Sequence, residues 1–278
     1  MMRRHDAAAP DPRDFAARFR PISLDDLVAE AELLTRVDRK YLMPADAAMR
    51  VLADLDERTR VLEIEGDRGS RYGTMYFDTP DLLSYRLAAH GRRRRFKLRS
   101  RHYVDTDAAF LEMKTRGGRG TTVKERIPHP ADAVDELTPE GRVYAAEAVE
   151  TLGMSAAVAD ALEPTLHTSY RRTTLLLPDG ARATVDTELE WHDAWGAELC
   201  RPDLVIVETK SPSRASSLDD LLRRHGTRPV GISKFATGLA ALRPELPSNK
   251  WNRVLNRHFR TAPAPTGDPG RAERKVLA

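Results

Sequence analysis

Arg93-Arg94-Arg95-Phe96-Lys97-Leu98-Arg99-Ser100-Arg101 is the stretch on which the fold turns. In an extended strand, residues i and i+2 point to one face. Arg93, Arg95, Lys97, Arg99 and Arg101 therefore fall on one side, and Phe96 and Leu98 on the other. A cationic ladder backs onto an apolar surface. Taken alone, such a run fits a solvated sheet edge or a basic patch for nucleic acid equally well. Its neighbours shift the balance. Leu111 and Met113 oppose Glu112 and Lys114, Val123 and Ile127 oppose Lys124 and Arg126, and Val205 and Val207 oppose Glu208 and Lys210. Arg36, Asp38 and Lys40 share one face of a further segment, and Arg182, Asp186, Glu188 and Glu190 share one face of another. Surface strands also alternate, but they rarely put fixed charges of both signs at nearly every polar position.

Period-two alternation predicts eight strands, over residues 36–42, 71–77, 93–101, 110–115, 122–127, 167–177, 181–190 and 204–210. Turn signals at Arg116-Gly117-Gly118 and Leu177-Pro178-Asp179-Gly180 join strands at hairpin distance, which makes the sheet largely antiparallel. Helical periodicity marks 23–34, 44–55, 138–152, 217–224 and 250–259, with Ser23 and Thr138 as N-caps. The expected fold is α+β: an antiparallel eight-stranded β-barrel tunnel with helices packed outside. Eight strands leave a lumen for side chains or one slim ligand. Turning the charged face inward demands partners for its cations. Phosphate oxygens match Arg forks and Lys ammonium groups. Acids on the same face would repel such a polyanion unless a divalent metal, Mn2+ or Mg2+, bridged carboxylate and phosphate oxygens.

Composition narrows the setting. The 278 residues are 41% hydrophobic, enough for a core, and 45 basic residues nearly cancel 42 acidic ones, so placement matters more than net charge. Cys200 is the only cysteine, which excludes an intramolecular disulfide and a multi-Cys zinc site. Without a run of eighteen apolar residues or an apolar leader, a soluble cytoplasmic protein is expected. Residues 1–14 and 261–278 lack periodicity and are expected as disordered tails around one domain over 15–260. Aromatic residues are 6%, with few at charged-face positions, so nucleic acid, which needs stacking platforms, is not an expected partner. The histidines show no paired metal spacing, Trp191, Trp195 and Trp251 read as packing residues, and Cys200 as structural. Asp78, just before Thr79-Pro80, reads as a turn cap.

Nine pieces of the chain carry a family resemblance through their order and spacing. They are Arg36-Val37-Asp38-Arg39-Lys40-Tyr41-Leu42, Tyr76-Phe77-Asp78-Thr79, Phe96-Lys97-Leu98-Arg99-Ser100-Arg101, Phe110-Leu111-Glu112-Met113-Lys114, Val123-Lys124-Glu125-Arg126, Tyr170-Arg171-Arg172-Thr173, Arg182-Ala183-Thr184-Val185-Asp186-Thr187, Val207-Glu208-Thr209-Lys210 and Ser233-Lys234-Phe235. Over residues 21–259 the chain resembles the catalytic domain of the vacuolar transporter chaperone (VTC) family of polyphosphate polymerases, within the triphosphate tunnel metalloenzyme (CYTH-like) superfamily.

The resemblance implies a phosphate chain threaded through a basic tunnel and metal-dependent transfer of the ATP γ-phosphate onto polyphosphate. Hydrolysis of triphosphate or polyphosphate in the same tunnel is the alternative, and a non-catalytic polyanion binder is a third reading. Carried over by motif, it implies catalytic roles for Lys40, Arg99, Lys114, Arg172, Arg182 and Lys210, and substrate binding by Lys97, Lys124, Arg126 and Lys234. Arg101 joins the binding set through its strand face. Glu208 is the implied metal ligand, with Glu112 and Glu188 behind it. The first strand departs from the superfamily's Glu-x-Glu-x-Lys, having Arg36, Asp38 and Lys40 at those positions, which suits a polymerase better than a hydrolase. Family members often carry membrane spans and a phosphate-sensing domain. Neither is legible here, so coupling to a membrane would need an unidentified partner.

Overall fold

The computed structural model describes residues 14–30, 37–116, 122–212 and 214–260. Each of the eight alternating segments is a strand. In chain order the elements are β1 (Arg20–Ile22), α1 (Leu24–Glu30), β2 (Val37–Pro44), α2 (Ala45–Ala53), β3 (Arg60–Leu62), β4 (Ser70–Asp78), α3 (Leu83–Ala89), β5 (Arg95–Tyr103), β6 (Ala108–Arg116) and β7 (Thr122–His129). Then follow α4 (Pro139–Glu150), α5 (Ala157–Asp160), β8 (Glu163–Leu176), β9 (Arg182–Asp193), β10 (Glu198–Arg201), β11 (Leu204–Ser211), α6 (Ser217–Arg224), α7 (Lys234–Leu242) and α8 (Asn252–His258).

The chain is α+β with one large, mainly antiparallel sheet. Its principal order is β2-β11-β9-β8-β4-β5-β6-β7, and these are the eight strands that alternation predicts. β2 and β7 are the ends of that order, so among the described residues the pairing is a ladder rather than the closed ring that the sequence suggests. Alternation missed β1, β3 and β10. β1 pairs with β3 in parallel, and β10 extends β9. Arg93 lies before β5 rather than on it. Arg36 and most of both expected tails fall outside the described residues.

Two compact units divide the chain, the first made of Met1–Ser70, Arg171–Glu188 and Pro202–Val230, the second of Arg71–Tyr170, Leu189–Arg201 and Gly231–Ala278. β8 and β9 run through both. In the first unit, Tyr41, Met43, Ala183, Val185, Val205 and Val207 are buried against Val51 and Leu52 of α2 and Leu218 and Leu222 of α6. A capping box of Ser216 and Asp219 starts α6. Asp219 Oδ1 also accepts from Tyr41 Oη at 2.7 Å and Thr209 Oγ1 at 2.5 Å, tying the helix to the sheet.

The second unit repeats the plan. Phe77, Phe96, Leu98, Leu111 and Met113 are buried against Ala145, Ala148 and Val149 of α4. Thr138 caps α4 by accepting from Gly141 N, with proline at the first helical position. Full burial of Leu98 or Leu111 contributes about 1.5–3 kcal/mol each. In both units, helices cover the apolar face of strands whose other face is charged. Asp78 is the turn cap that the sequence suggests: its carboxylate accepts from Thr79 N, Ser84 N and Tyr85 N at 2.8, 2.8 and 2.9 Å. Burial pushes its pKa up to about 6 against those three donors.

α7 is a helix that the sequence reading did not separate, and Lys234 opens it. Trp191 Nε1 donates to Lys234 O at 2.8 Å, and the indole lies where a side chain at Gly238 would be. Gly238→Ala is therefore expected to destabilise the fold by about 1–3 kcal/mol through overpacking. Urea unfolding with an unchanged m-value checks it; a neutral substitution would mean that α7 is loosely seated. Among the described residues, no helix is long and apolar enough to cross a membrane.

Candidate functional site

Strand register assembles the charged faces into two clusters, one in each unit. In the second unit, Arg99, Glu112 and Arg126 form one cross-strand row, and Lys97, Lys114 and Lys124 form the next. Glu112 is 2% exposed in its side chain, and both its oxygens are engaged. Oε2 accepts from Arg99 Nε at 2.8 Å and Nη2 at 2.5 Å, while Oε1 accepts from Lys124 Nζ at 2.8 Å. Arg101 Nε stands 3.9 Å from the same Oε2 and makes no hydrogen bond among the described residues. Burial alone would raise the pKa of Glu112. Arg99, Arg101 and Lys124 outweigh it and hold the carboxyl well below the usual range.

Such a group stabilises the fold above its unfolded pKa, about 4.3, and loses that contribution as pH falls toward its folded value. Glu112→Gln is expected to lower stability at pH 7 and to flatten the acid limb of the stability profile below about pH 4. Urea titrations from pH 2 to 7 check this. An unchanged acid limb would mean that the cluster is not charge-paired.

Aromatic rings flank these cations. Lys97 Nζ lies 5.4 Å and the Arg99 guanidinium 6.0 Å from the Tyr76 ring centre, and Arg126 sits 4.4 Å over Phe110. Lys234 Nζ is 4.1 Å from the centre of Tyr170.

In the first unit, Lys40 faces Glu208, and Asp38 faces Lys210, which in turn faces Arg182. Glu208 Oε1 is 3.2 Å from Lys40 Nζ and 3.8 Å from Lys210 Nζ. Burial would raise its pKa too, but Lys210, Lys40 and Arg172 hold it well below the carboxylate range. Arg172 grips the buried Asp186 bidentately, with Nε to Oδ1 at 2.6 Å and Nη2 to Oδ2 at 2.8 Å. Arg182 Nη2 donates to the Leu27 carbonyl at 3.0 Å.

Of the residues singled out in the sequence, the structure brings Lys40, Lys210 and Arg172 around Glu208, and Arg99, Arg101 and Lys124 around Glu112. The sequence reading did not find the role of Asp186, or Tyr76 and Tyr170 beside the cations. Glu188 differs from the other two acids: it is exposed at a left-handed backbone position, φ 53°, and joins no ion pair among the described residues.

These differences grade the three carboxylates as metal ligands. Among the described residues, no group of three or more His, Cys, Asp or Glu could hold an ion. A cation here would need one carboxylate plus substrate oxygens and water, an arrangement that Mg2+ commonly adopts. Glu208 fits. Its side chain is 15% exposed, and Lys40 and Lys210 approach it at Oε1, 3.2 and 3.8 Å away. Glu112 does not fit while its two oxygens are held by Arg99 and Lys124.

No curated protein matches the chain. Similar solved structures include a putative adenylyl cyclase from Hippeastrum with a dominant triphosphatase activity, at 16% identity and TM-score 0.47, covering 74% of this chain and 96% of that one. Two Pyrococcus horikoshii proteins follow: one at 12% identity and TM-score 0.42, covering 73% and 98% of the respective chains, the other at 14% and 0.37, covering 69% and 90%. The VTC domain matches residues 35–243, which include all eight strands of the principal order and both carboxylate clusters. By that match, the chain belongs to the VTC domain family.

Proposed function

We propose that this chain is a divalent-metal-dependent polyphosphate polymerase that transfers the γ-phosphate of ATP onto a phosphate chain. The observation that carries the reading is the excess of cations around each of two carboxylates, Glu208 and the buried Glu112. Lys40, Lys210 and Arg172 surround Glu208, and Arg99, Arg101 and Lys124 surround Glu112. Such clusters suit a ligand with several closely spaced negative charges.

In this reading, the terminal oxygen of the chain attacks the γ-phosphorus, a P–O bond to the chain forms, and the bond to ADP breaks. No protein nucleophile is required. Lys40, Lys210 and Arg172 bind and align the reacting phosphates, and their fixed charges stabilise the charge that moves to the leaving oxygen. Glu208 would hold a divalent ion, which when bound polarises the transferred phosphoryl group. A hydrolase would need a carboxylate to orient water. Glu112 is committed to Arg99 and Lys124, and Asp186 to Arg172, which favours the phosphate acceptor over water.

The test is incubation of the purified protein with ATP and Mn2+, separating polymer from free phosphate. ADP and long polymer are expected, with inorganic phosphate a minor product. Stoichiometric phosphate without polymer, even with a short polyphosphate primer supplied, would move the assignment to hydrolysis.

A further inference from the structure

Histidines gather on the other face of the second unit's sheet. His102 follows Leu98 and Ser100 on the helix-covered side of β5, and Gly73 of β4 lies opposite it. The ring of His167, from β8, lies over Gly73: a Cβ there would stand 3.6 Å from its Nε2. His167 therefore points away from the Glu112 cluster. Between β8 and β9, Ala194 N donates to Thr165 O at 3.0 Å, and Ser169 Oγ donates to Glu190 Oε2 at 2.6 Å. Between these two links His167 faces His192, with ring centres 6.1 Å apart. The fold makes this pair, and no sequence spacing announces it.

β10 completes the group, with Glu198 opposite His192 and Cys200 opposite Glu190. Glu198 Oε1 is 3.4 Å from His192 Nδ1, and Glu190 Oε2 is 4.0 Å from Nε2. A carboxylate beside one ring nitrogen orients the imidazole and leaves the other nitrogen to a metal. Asp135 and Glu190 also act on His167 and favour positive charge there. An ion held at 2.0–2.1 Å by an imidazole nitrogen lies about 3.2 Å from the ring centre, so two rings on one tetrahedral ion have centres about 5 Å apart. The rings of His167 and His192 need to close by only about 1 Å. His192 is 41% exposed in its side chain, and Gly73 leaves open the space beside His167, so both rings have room to turn.

We propose that His167 and His192 form a two-imidazole site for a divalent metal of the zinc class, with Glu190 balancing its charge and water completing the coordination. The site asks for two protein donors, fewer than the three-donor clusters that the described residues lack. Imidazole suits zinc, copper and nickel, whereas the hard ions Mg2+ and Mn2+ suit a carboxylate such as Glu208. The bound ion ties β8 to β9 on the far side of Glu188, whose left-handed backbone interrupts the regular pleat of β9. This second metal site does not depend on the polymerase reading.

The experiment titrates Zn2+ into the full chain against a chromophoric chelator, with excess Mg2+ present. The parent, Glu208→Gln and Cys200→Ser should hold the ion equally well. His167→Gln and His192→Gln should each bind it at least about tenfold more weakly. Zn2+ should also raise the melting temperature of the parent and leave that of His192→Gln unmoved. His192 is exposed enough that its replacement keeps the fold, so it carries the test even where His167→Gln melts early. Affinity unchanged in His192→Gln, binding lost in Glu208→Gln or Cys200→Ser, or displacement of Zn2+ by Mg2+ would overturn the proposal. Turnover with Mn2+ should be the same in His192→Gln as in the parent. A loss there would assign the pair to the catalytic site instead.

Discussion

Glu208→Gln should lower turnover by at least about 100-fold while the protein melts within a few degrees of the parent. The substitution keeps the shape of the side chain and an acceptor oxygen for Lys40. It removes the one negative charge that Lys40, Lys210 and Arg172 share. Arg172 keeps its bidentate grip on Asp186, and the lysines are partly solvated, so the loss of stability stays near 1–2 kcal/mol, or about 2–4 °C per kcal/mol for a chain of this size. Activity measured across a Mn2+ titration, alongside a thermal melt, separates the two effects. Undiminished turnover at low metal would remove Glu208 from the ligand role.

Arg99→Ala should be the most destabilising of the charge deletions, at about 2–4 kcal/mol, because it strips two short hydrogen bonds from a carboxylate that has almost no access to water. Lys124 and Arg101 remain near Glu112 and keep the cost from being larger. Polyphosphate binding should weaken strongly with it. Arg94→Ala, one residue before β5 and exposed, should lie within about 0.5 kcal/mol of the parent. A double-mutant cycle of Arg99→Ala with Glu112→Ala isolates the pair. Zero coupling, or equal effects on binding from Arg94 and Arg99, would show that the charged face has been assigned wrongly.

The ladder strands were legible chiefly where one side is covered by a helix and the other is charged, as in β2, β5, β6 and β11, so that polarity follows the backbone period. β1 and β3 have three residues each and β10 has four, too short for any period to declare itself. α7 was hidden for the opposite reason. Most of Phe235 to Leu242 is buried, leaving no polar stripe to mark a helix. α3 begins after Leu82 at φ 58° with no side-chain cap, so it carries no start signal.

The candidate site divides in the same way. Alternation placed Glu112 and Glu208 on faces with their cations, since neighbours two apart or directly across a ladder are determined by pattern. The grip of Arg172 on Asp186 depends on which residues of two long strands meet, and no spacing rule supplies that. Glu188 lies within β9 at a left-handed backbone position, where the regular pleat that period two assumes does not hold.

β2 finds its antiparallel partner in β11, with Lys40 opposite Glu208, about 170 positions later in the chain. During synthesis at about 5–20 residues per second, that separation corresponds to roughly 8–34 s. Throughout this interval Tyr41 and Met43, destined for the core, have emerged before the strand that covers them. A nascent chain halted between those two points presents an unpaired strand edge beside apolar side chains, the surface that aggregation exploits and that chaperones exist to cover. Yield in a heterologous host should therefore respond to chaperone supply during translation more than to the stability of the finished protein.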